Sequence, residues 1–289
     1  MIYEVVHTTR YDYDAPVEAS FAELRQLPDD VDGQVCIRRA VTTDPSPDHR
    51  SEHRDYFGNL TATAVIHQPH TRLVVTSSSL IDTSGRPTDF GAEGQEPWTS
   101  YTAARSDPDD LDAIEFSLDS ALVARSPELV DYAQPSFNGD VSLADGVVSL
   151  CARLHADFEF DAGATRVDTP LADVMRMRRG VCQDFAHVMI GSLRSVGLPV
   201  CYVSGYLETE PPPGQPRLTG VDRTHAWVGV YLGNGRWIGI DPTNNQLAGA
   251  RYVTAARGRD YSDVPPLKGV IFTDAEQSWL TVSVDVAAR

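Results

Sequence analysis

The chain lacks the long apolar segments of exported and membrane-spanning proteins. Its 289 residues contain no apolar run near the length of a transmembrane helix, which needs about 20 residues. The start, Met-Ile-Tyr-Glu-Val-Val-His, has neither the basic segment nor the apolar stretch of a signal peptide. We therefore expect a cytoplasmic protein with no membrane partner.

Cysteine is scarce and is not arranged for zinc or redox chemistry. The spacing typical of zinc ribbons and redox dithiols, Cys-x-x-Cys, is absent from the sequence. In a reducing compartment the cysteines are expected to be free thiols. No calcium-loop pattern is present either, so we expect no metal and no cofactor. The four cysteines are Cys36, Cys151, Cys182 and Cys201.

Positive charge is also in short supply. The chain has 24 Lys and Arg against 41 Asp and Glu, which gives a formal net charge of −17. A chain this acidic repels phosphate backbones, so we expect no nucleic-acid partner. The acidic residues are scattered and form no single run, which indicates solubility and not recognition of a cationic substrate.

The first hundred residues have the pattern of β structure. Their β-branched and aromatic residues recur near period two, and Pro16 is expected to end the first strand. A turn at Gly58-Asn59 predicts a hairpin. These features predict a β-sandwich-like N-terminal domain over residues 1–105. The expected strands are Ile2–Tyr13, Val35–Thr43 and Thr71–Leu80, with the hairpin over Arg54–Ile66.

The second part of the chain is expected to place helices before an antiparallel sheet. Residues 83–110, rich in Gly, Pro, Ser and acidic side chains, are interpreted as a linker or a long surface loop. Apolar residues at helical spacing then precede strands, which predicts an α+β domain over residues 106–289. Helices are expected around Leu118–Val123, from a start at Ser126-Pro127, and over Ser142–Asp157, Leu171–Arg178 and 181–196.

Cys182 stands where an expected helix begins. A thiol at a helix N-terminus faces unpaired backbone N–H groups and the positive end of the helix dipole, and both favour the nucleophilic thiolate. Gly180 allows a tight turn and the close approach of a substrate. The backbone N–H of Cys182 is also suited to an oxyanion hole. Cys182 is therefore the candidate nucleophile.

His225 and Asp241 are expected to lie side by side. His225 begins one expected strand, and Asp241 follows the next. The two strands, Ala226–Tyr231 and Trp237–Ile240, are joined by the short turn Gly233-Asn234-Gly235 and so form an antiparallel hairpin. In such a hairpin the start of the first strand lies beside the end of the second. This is the relation of a catalytic base to the carboxylate that orients it.

These residues also have structural interpretations. A cysteine in an amphipathic helix is usually a core residue, as we expect for Cys151. His187 is expected to pack in the core or to support the site. Asp241-Pro242 is also typical of a turn that ends a strand. A metal site built from Cys182, His187 and His225 has no supporting ligand spacing.

Three neighbouring features matter less for the predicted reaction. Gln183 is expected to point along the helix and not into an oxyanion hole. Trp227 is expected to be a core residue, because aromatic residues on strands usually pack. The segment Arg259-Asp260-Tyr261 either borders the cleft or forms a surface loop.

Three blocks of the sequence resemble the bacterial transglutaminase-like superfamily. The first runs from Arg179 to Ala186 and continues through residues 193–200 and 203–206. The others are His225-Ala226-Trp227 and Asp241-Pro242-Thr243. The N-terminal β region is similar to the extra domain that precedes this core in many bacterial members.

This resemblance implies a papain-like fold, with helices packed on an antiparallel sheet, and a Cys-His-Asp triad. The triad would be carried here by Cys182, His225 and Asp241. It also implies a thioester intermediate and a peptide or protein substrate. We expect a peptidase- or amidase-type hydrolase, with an amine-accepting transglutaminase or amide ligase as the alternative.

A binding module that keeps the triad as a relic is a further hypothesis. The connection Glu208–Thr224, with three consecutive prolines, and the β domain would then form its interface.

We predict that iodoacetamide alkylates Cys182 faster than the other three cysteines of the native protein, because the thiolate is the reactive form. Mass spectrometry of peptides after timed labelling measures the four rates. Equal rates at Cys182, Cys36, Cys151 and Cys201 would contradict an activated thiol.

Overall fold

The computed structural model describes residues 1–102, 107, 109–209 and 224–289. It confirms the α+β class, with a curled antiparallel sheet and a second antiparallel sheet that carries helices. No helix of the described residues is long and apolar enough to cross a bilayer. The strands are β1 (Ile2–Leu24), β2 (Val35–Asp44), β3 (His49–Arg54), β4 (Leu60–Ile66), β5 (His70–Asp82), β6 (Glu159–Phe160), β7 (Arg179–Gly180), β8 (Val200–Leu207), β9 (Thr224–Tyr231), β10 (Trp237–Asp241), β11 (Gln246–Leu247), β12 (Tyr252–Gly258), β13 (Leu267–Thr273) and β14 (Ser278–Ala288). The helices are α1 (Thr99–Thr102), α2 (Leu111–Glu115), α3 (Pro127–Ala133), α4 (Leu143–Asp157), α5 (Leu171–Met177) and α6 (Cys182–Ser195).

One long strand organises the N-terminal unit. β1 pairs antiparallel with β5 and β14 along its first half and with β4 and β13 along its second half. β2 and β3 complete the outer positions of the sheet. The sheet curls around a core that includes Val17, Leu24 and Val75. This curled sheet is the β-sandwich-like unit that the alternating pattern predicts.

Pro16 does not end β1. The pairing of β1 with β5 is regular up to Asp12 and shifts before Val17. Proline has no backbone N–H to give to a ladder, so it is tolerated in such an irregular stretch. The expected strand end at Tyr13 is wrong, since β1 continues to Leu24.

The last two strands return to the first. β13 and β14 pair with β1, so residues 267–288 lie in the N-terminal sheet and not beside the helices. Val284 and Val286 of β14 pack in one cluster with Tyr206 and Val253 of the second sheet. The division of the chain into residues 1–105 and 106–289 stays a prediction.

Part of the expected linker is packed against the helices. Phe90 and Tyr101 are buried in the core around α4 and α6, and Trp98 packs against the same cluster. Burying aromatic side chains is favourable enough to order a segment of polar composition. Residues 83–102 are thus mostly an exposed connection, as the interpretation as a linker or long surface loop predicts, but Phe90, Trp98 and Tyr101 anchor this connection to the helical core. Residues 103–106 and 108 lie outside the described part of the chain.

Helix α6 packs on the second sheet, whose strand order is β11-β10-β9-β8-β12. Buried side chains of the helix, including Val188 and Leu193, join those of Val228 and Val230 on β9. The prediction of a helix over residues 181–196 is confirmed to within a residue at each end. Gly197, with a φ of 93°, follows the end of α6, as is common after a helix.

Two predictions about the region before α4 have different outcomes. The helix start at Ser126 is confirmed, because its side chain accepts the N–H of Leu129. No helix spans Leu118–Val123. There, the N–H of Ser120 donates to the carbonyl of Val123 at 2.9 Å. The hydroxyl of Ser120 donates to the same carbonyl at 3.4 Å, and side-chain bonds to nearby backbone groups compete with helix formation.

Arg194 ties the end of α6 to three other segments. Its side chain is 1% exposed. Burial lowers the pKa of Arg194 to about 10, so the guanidinium remains charged at neutral pH. It donates to the carbonyls of Phe116, Val200 and Arg259, at 3.0, 2.9 and 2.8 Å, and to Oγ of Ser120 at 3.2 Å.

Replacing Arg194 with alanine is expected to lower the free energy of unfolding by about 3 kcal/mol, because buried carbonyl groups lose their donor. Urea unfolding followed by circular dichroism measures the change. Arg176, whose side chain is 75% exposed, provides the control, since Arg176→Ala should change stability by less than about 0.5 kcal/mol. Similar losses in both variants would contradict the role assigned to Arg194.

Candidate active site

The turn before α6 is built so that Cys182 occupies the first helical position. Oδ2 of Asp184 accepts the N–H of Val181 at 2.8 Å and the hydroxyl of Thr165 at 2.6 Å. A Cβ on Gly180 would lie 2.4 Å from that same oxygen. Glycine is therefore required at position 180, and the buried carboxyl group holds the turn that presents the thiol.

The hairpin of β9 and β10 brings His225 to Asp241, as the sequence predicts. Nε2 of His225 lies 2.7 Å from Oδ2 of Asp241. The turn Gly233-Asn234-Gly235 has positive φ at all three residues. On the other side, His225 pairs with Gly205 of β8. A Cβ on Gly205 would lie 2.1 Å from the carbonyl oxygen of Val253, so only glycine allows the strands this close.

Five hydrogen bonds hold the carboxylate of Asp241, which is completely buried. Besides His225, its Oδ2 accepts from Nδ2 of Asn244 at 2.6 Å and from the hydroxyl of Tyr252 at 2.7 Å. Its Oδ1 accepts the backbone N–H groups of Thr243 and Asn244, at 2.8 and 3.3 Å. Burial favours the neutral acid, but these bonds, His225 foremost, hold the pKa of Asp241 below its usual value.

Sequence reasoning missed Asn244 and Tyr252. Asn244 stands three residues after Asp241, where an amide side chain often bonds back to a turn, so a local signal existed. Tyr252 belongs to β12, at the far edge of the sheet order. No spacing in the sequence indicates that this hydroxyl reaches Asp241.

The imidazole of His225 is held as a cation. Burial disfavours the charged ring, but hydrogen bonds and charge interactions with Asp241 and Cys182 outweigh it and raise the pKa of His225 to about 10. Because Nε2 faces Asp241, Nδ1 is the nitrogen left for the thiol. The structure thus brings the three predicted residues together in the predicted relation.

The other thiols and His187 lie outside this arrangement. Burial raises the pKa of Cys151 and of Cys201 to about 12. The thiol of Cys151 contacts the backbone of the site and not its side chains, since it donates to the carbonyl oxygen of Asp241 at 3.5 Å. His187 accepts the N–H of Tyr261 at 3.2 Å, and burial lowers its pKa to about 4. In the described ranges, no group of three or more His, Cys, Asp or Glu could hold a metal ion.

The segment after β12 is anchored by one buried residue, while Arg259 and Tyr261 are partly exposed. Asp260 is 0% exposed, and its carboxylate accepts the N–H of Leu122 at 2.7 Å. The segment Arg259-Asp260-Tyr261 is therefore not a fully exposed loop, and its place at the border of the cleft stays a prediction. Trp227 is a core residue, as expected. The side chain of Gln183 donates to a backbone carbonyl at 3.0 Å.

A cleft of about 400 Å³ opens beside His225. It lies where β8 ends and β9 begins. The loop that was considered as a binding interface, residues 208–224, falls outside the described residues over positions 210–223. The lining residues are Phe160, Leu207, Thr209, Thr224, His225, Thr243 and Asn244.

A thiol at a helix start, a charged imidazole and a buried carboxylate on an antiparallel sheet define the class of papain-like proteins of cysteine-dependent acyl transfer. Residues 3–82 match the bacterial transglutaminase-like N-terminal region, and residues 131–242 match the transglutaminase-like superfamily core. The chain belongs to the transglutaminase-like superfamily. At this general level, family and fold support an enzyme.

Relatives match the chain over almost its full length. The uncharacterized protein Rv2569c of Mycobacterium tuberculosis is 42% identical over 98% of this chain and 92% of its own. The uncharacterized protein ML0607 of Mycobacterium leprae is 32% identical over 92% of this chain and 91% of its own. The crystal structure of a candidate cysteine protease from Cytophaga hutchinsonii covers 98% of this chain and 90% of its own, with a TM-score of 0.73 and 19% identity. This last likeness shows a shared fold.

The pKa of His225 predicts how its contribution to stability depends on pH. Its folded value of about 10 exceeds the ordinary value of about 6.5. Its stabilising effect is therefore full below pH about 6.5 and is lost progressively as the pH rises to about 10. The difference in free energy of unfolding between the native protein and His225→Asn should shrink over this window.

Urea unfolding at intervals of pH measures this difference. His67→Asn, at a histidine whose side chain is 62% exposed, serves as the control and should follow the native curve. Parallel curves for the native protein and His225→Asn would show that no extra proton is held at His225.

Proposed function

We propose that this chain is a cysteine peptidase or amidase that cleaves a peptide or carboxamide bond through a thioester on Cys182. The observation that carries the proposal is the contact of one thiol, one charged imidazole and one buried carboxylate at the start of α6. The substrate would be a peptide or a protein. A cytoplasmic location remains part of the proposal.

In the first half of the reaction, the sulfur of Cys182 attacks the carbonyl carbon of the substrate. An adjacent imidazolium favours the thiolate form of a cysteine. The C–N bond then breaks while His225 gives its proton to the leaving nitrogen. The products of this half are a free amine and a thioester on the enzyme.

In the second half, neutral His225 takes a proton from water while the water oxygen attacks the thioester. The C–S bond breaks, the carboxylic acid leaves, and the thiolate and imidazolium are restored. Asp241 stays ionised throughout, because five donors stabilise its charge. Its role is to hold the ring of His225 in the useful orientation.

The backbone N–H of Cys182 is the proposed oxyanion donor. At the first position of a helix, a backbone N–H has no acceptor within the helix. A fixed N–H beside the reacting carbon stabilises the charge that develops on the substrate oxygen.

Turnover of β-casein in the presence of dansylcadaverine tests the proposal. The native protein should release free amines and acid groups faster than it incorporates the dansyl amine, since water is the proposed acceptor. Cys182→Ala should lower the rate at least about 1,000-fold, as removal of a nucleophile does in comparable enzymes. Cys36→Ala, at a half-buried cysteine of the N-terminal sheet, is the matched control and should keep the native rate.

Three other results would replace this proposal. Amine incorporation faster than acid release would identify a transglutaminase or amide ligase. Casein binding that survives Cys182→Ala, with no turnover by the native protein, would identify a binding module. A mass increase on Cys182 that persists without product would show acylation without release, contrary to a hydrolase.

A further inference from the structure

The hydroxyl of Tyr252 belongs to a directed chain of hydrogen bonds that ends on Asp241. Nε2 of Gln246 donates to this hydroxyl at 2.7 Å. The hydroxyl has one proton to give, and its oxygen lies 2.7 Å from Oδ2 of Asp241. Burial and the nearby carboxylate raise the pKa of Tyr252 well above its usual value. The hydroxyl therefore keeps its proton and donates to Asp241 at any pH near neutrality.

Tyr252 meets the same carboxylate oxygen that holds the imidazole. Oδ2 of Asp241 accepts from Nε2 of His225 and from the Tyr252 hydroxyl, both at 2.7 Å. The buried ring of Tyr252 also lies against the rings of His225 and Trp227, with centroids 6.2 and 5.2 Å apart. Because donors from β9 and β12 converge on one oxygen, the carboxyl group cannot rotate without breaking both hydrogen bonds.

The N-terminal unit holds the strand that carries Tyr252. Gln34, in the connection between β1 and β2, is 2% exposed and bonds to the backbone of Thr254, two residues farther along β12. Its Nε2 donates to the carbonyl of Thr254 at 2.9 Å, and its Oε1 accepts the N–H of Thr254 at 2.8 Å. Two residues of paired strands exchange bonds in the same way. The amide of Gln34 thus takes the place of a neighbouring strand beside β12.

The titratable groups around this carboxyl come from several elements. Asp241 faces His225 of β9, Tyr252 of β12 and the thiol of Cys151 on α4, and His225 also faces Cys182 of α6. The thiol of Cys151 stays neutral, because burial raises its pKa to about 12. The charges that change with pH at this site are therefore those of Asp241, His225 and Cys182.

We propose that Tyr252 is a positioning residue of the triad, and that Gln34 of the N-terminal unit fixes the strand that holds it there. The proposal rests on the proposed function, because it gives Tyr252 a part in orienting His225 through Asp241. The hydroxyl directs a partial positive charge at the carboxylate, which favours the ionised form. The N-terminal unit thereby influences the pH range in which thiolate and imidazolium coexist.

The pH dependence of alkylation at Cys182 by iodoacetamide tests this role without turnover. The sulfur displaces iodide, so a C–S bond forms as the C–I bond breaks. The rate should rise once where the thiolate forms beside the imidazolium, and again where His225 loses its proton, because a more basic thiolate is the stronger nucleophile. Peptide mass spectrometry gives the rate over the pH range in which circular dichroism shows a folded protein.

In Tyr252→Phe, both inflections should move to higher pH by about one unit, the scale of one hydrogen bond to a charged group. Loss of the donor leaves more negative charge on Asp241, so each group of the site binds its proton more tightly. Tyr231→Phe is the matched control. Tyr231 is equally buried, and its hydroxyl donates to Asp110 at 2.7 Å, so this variant should keep the native inflections.

Two variants test the part of the N-terminal unit. Gln34→Met removes the amide but keeps the length of the side chain, and the milder Gln34→Asn draws the amide back from Thr254. Each should move the inflections in the same direction as Tyr252→Phe, by a smaller amount. Combining Gln34→Met with Tyr252→Phe should add no further shift, because residues that act through one contact are not additive.

Three results would contradict these expectations in distinguishable ways. Native inflections in Tyr252→Phe, even with lowered stability, would show a structural role alone and refute the positioning role. Native inflections in both Gln34 variants would refute the part of the N-terminal unit. A native protein in which Cys182 reacts no faster than Cys36 at any pH would refute the proposed function and, with it, this inference.

Discussion

The buried carboxylate of Asp241 is the interaction on which the rest of the site depends. An ionised carboxylate without partners would be strongly destabilising in the interior. Here it is completely buried and accepts five hydrogen bonds. The donors come from β9, from the loop after β10 and from β12, so the hairpin, the loop and the edge strand must all be in place together. The carboxylate of Asp241 therefore both holds these segments together and favours the charged form of His225.

The N-terminal sheet supports this arrangement from outside. Tyr206 lies next to Gly205, the residue opposite His225 on β8. Its ring packs with Val284 and Val286 of the last strand. Its hydroxyl lies 3.0 Å from Nδ1 of His7, whose pKa burial lowers to about 4. Because His7 is neutral at ordinary pH, this contact adds no charge beside the site. Because β13 and β14 return to β1, side chains of β14 pack against β8, the strand that pairs with β9 at His225.

The site also shows how a common first step leaves room for different reactions. In the proposed mechanism, the triad residues account for the formation of a thioester and for protonation of the leaving nitrogen. The triad residues do not by themselves select among substrates, because other surfaces contact the rest of a substrate. The residues proposed for the chemistry lie on the sheet and at the start of α6, so selection of a substrate is left to other residues.

The sequence by itself determined the features that depend on neighbours along the chain. Helix α6 and its start at Cys182, the Ser126 cap and the hairpin that joins His225 to Asp241 all follow from local spacing and turn residues. The same local logic was wrong at Pro16, where strand pairing outweighs the proline, and it missed the burial of Phe90 and Tyr101 within the polar connection.

Only the tertiary structure decided the contacts between distant segments. It alone places the hydroxyl of Tyr252 on Asp241, the thiol of Cys151 behind it and Phe160 beside Gly180. It also places β13 and β14 beside β1. Strand order and side-chain burial arise from contacts among segments that are far apart in the chain. Such contacts cannot be predicted from the spacing of residues along the sequence.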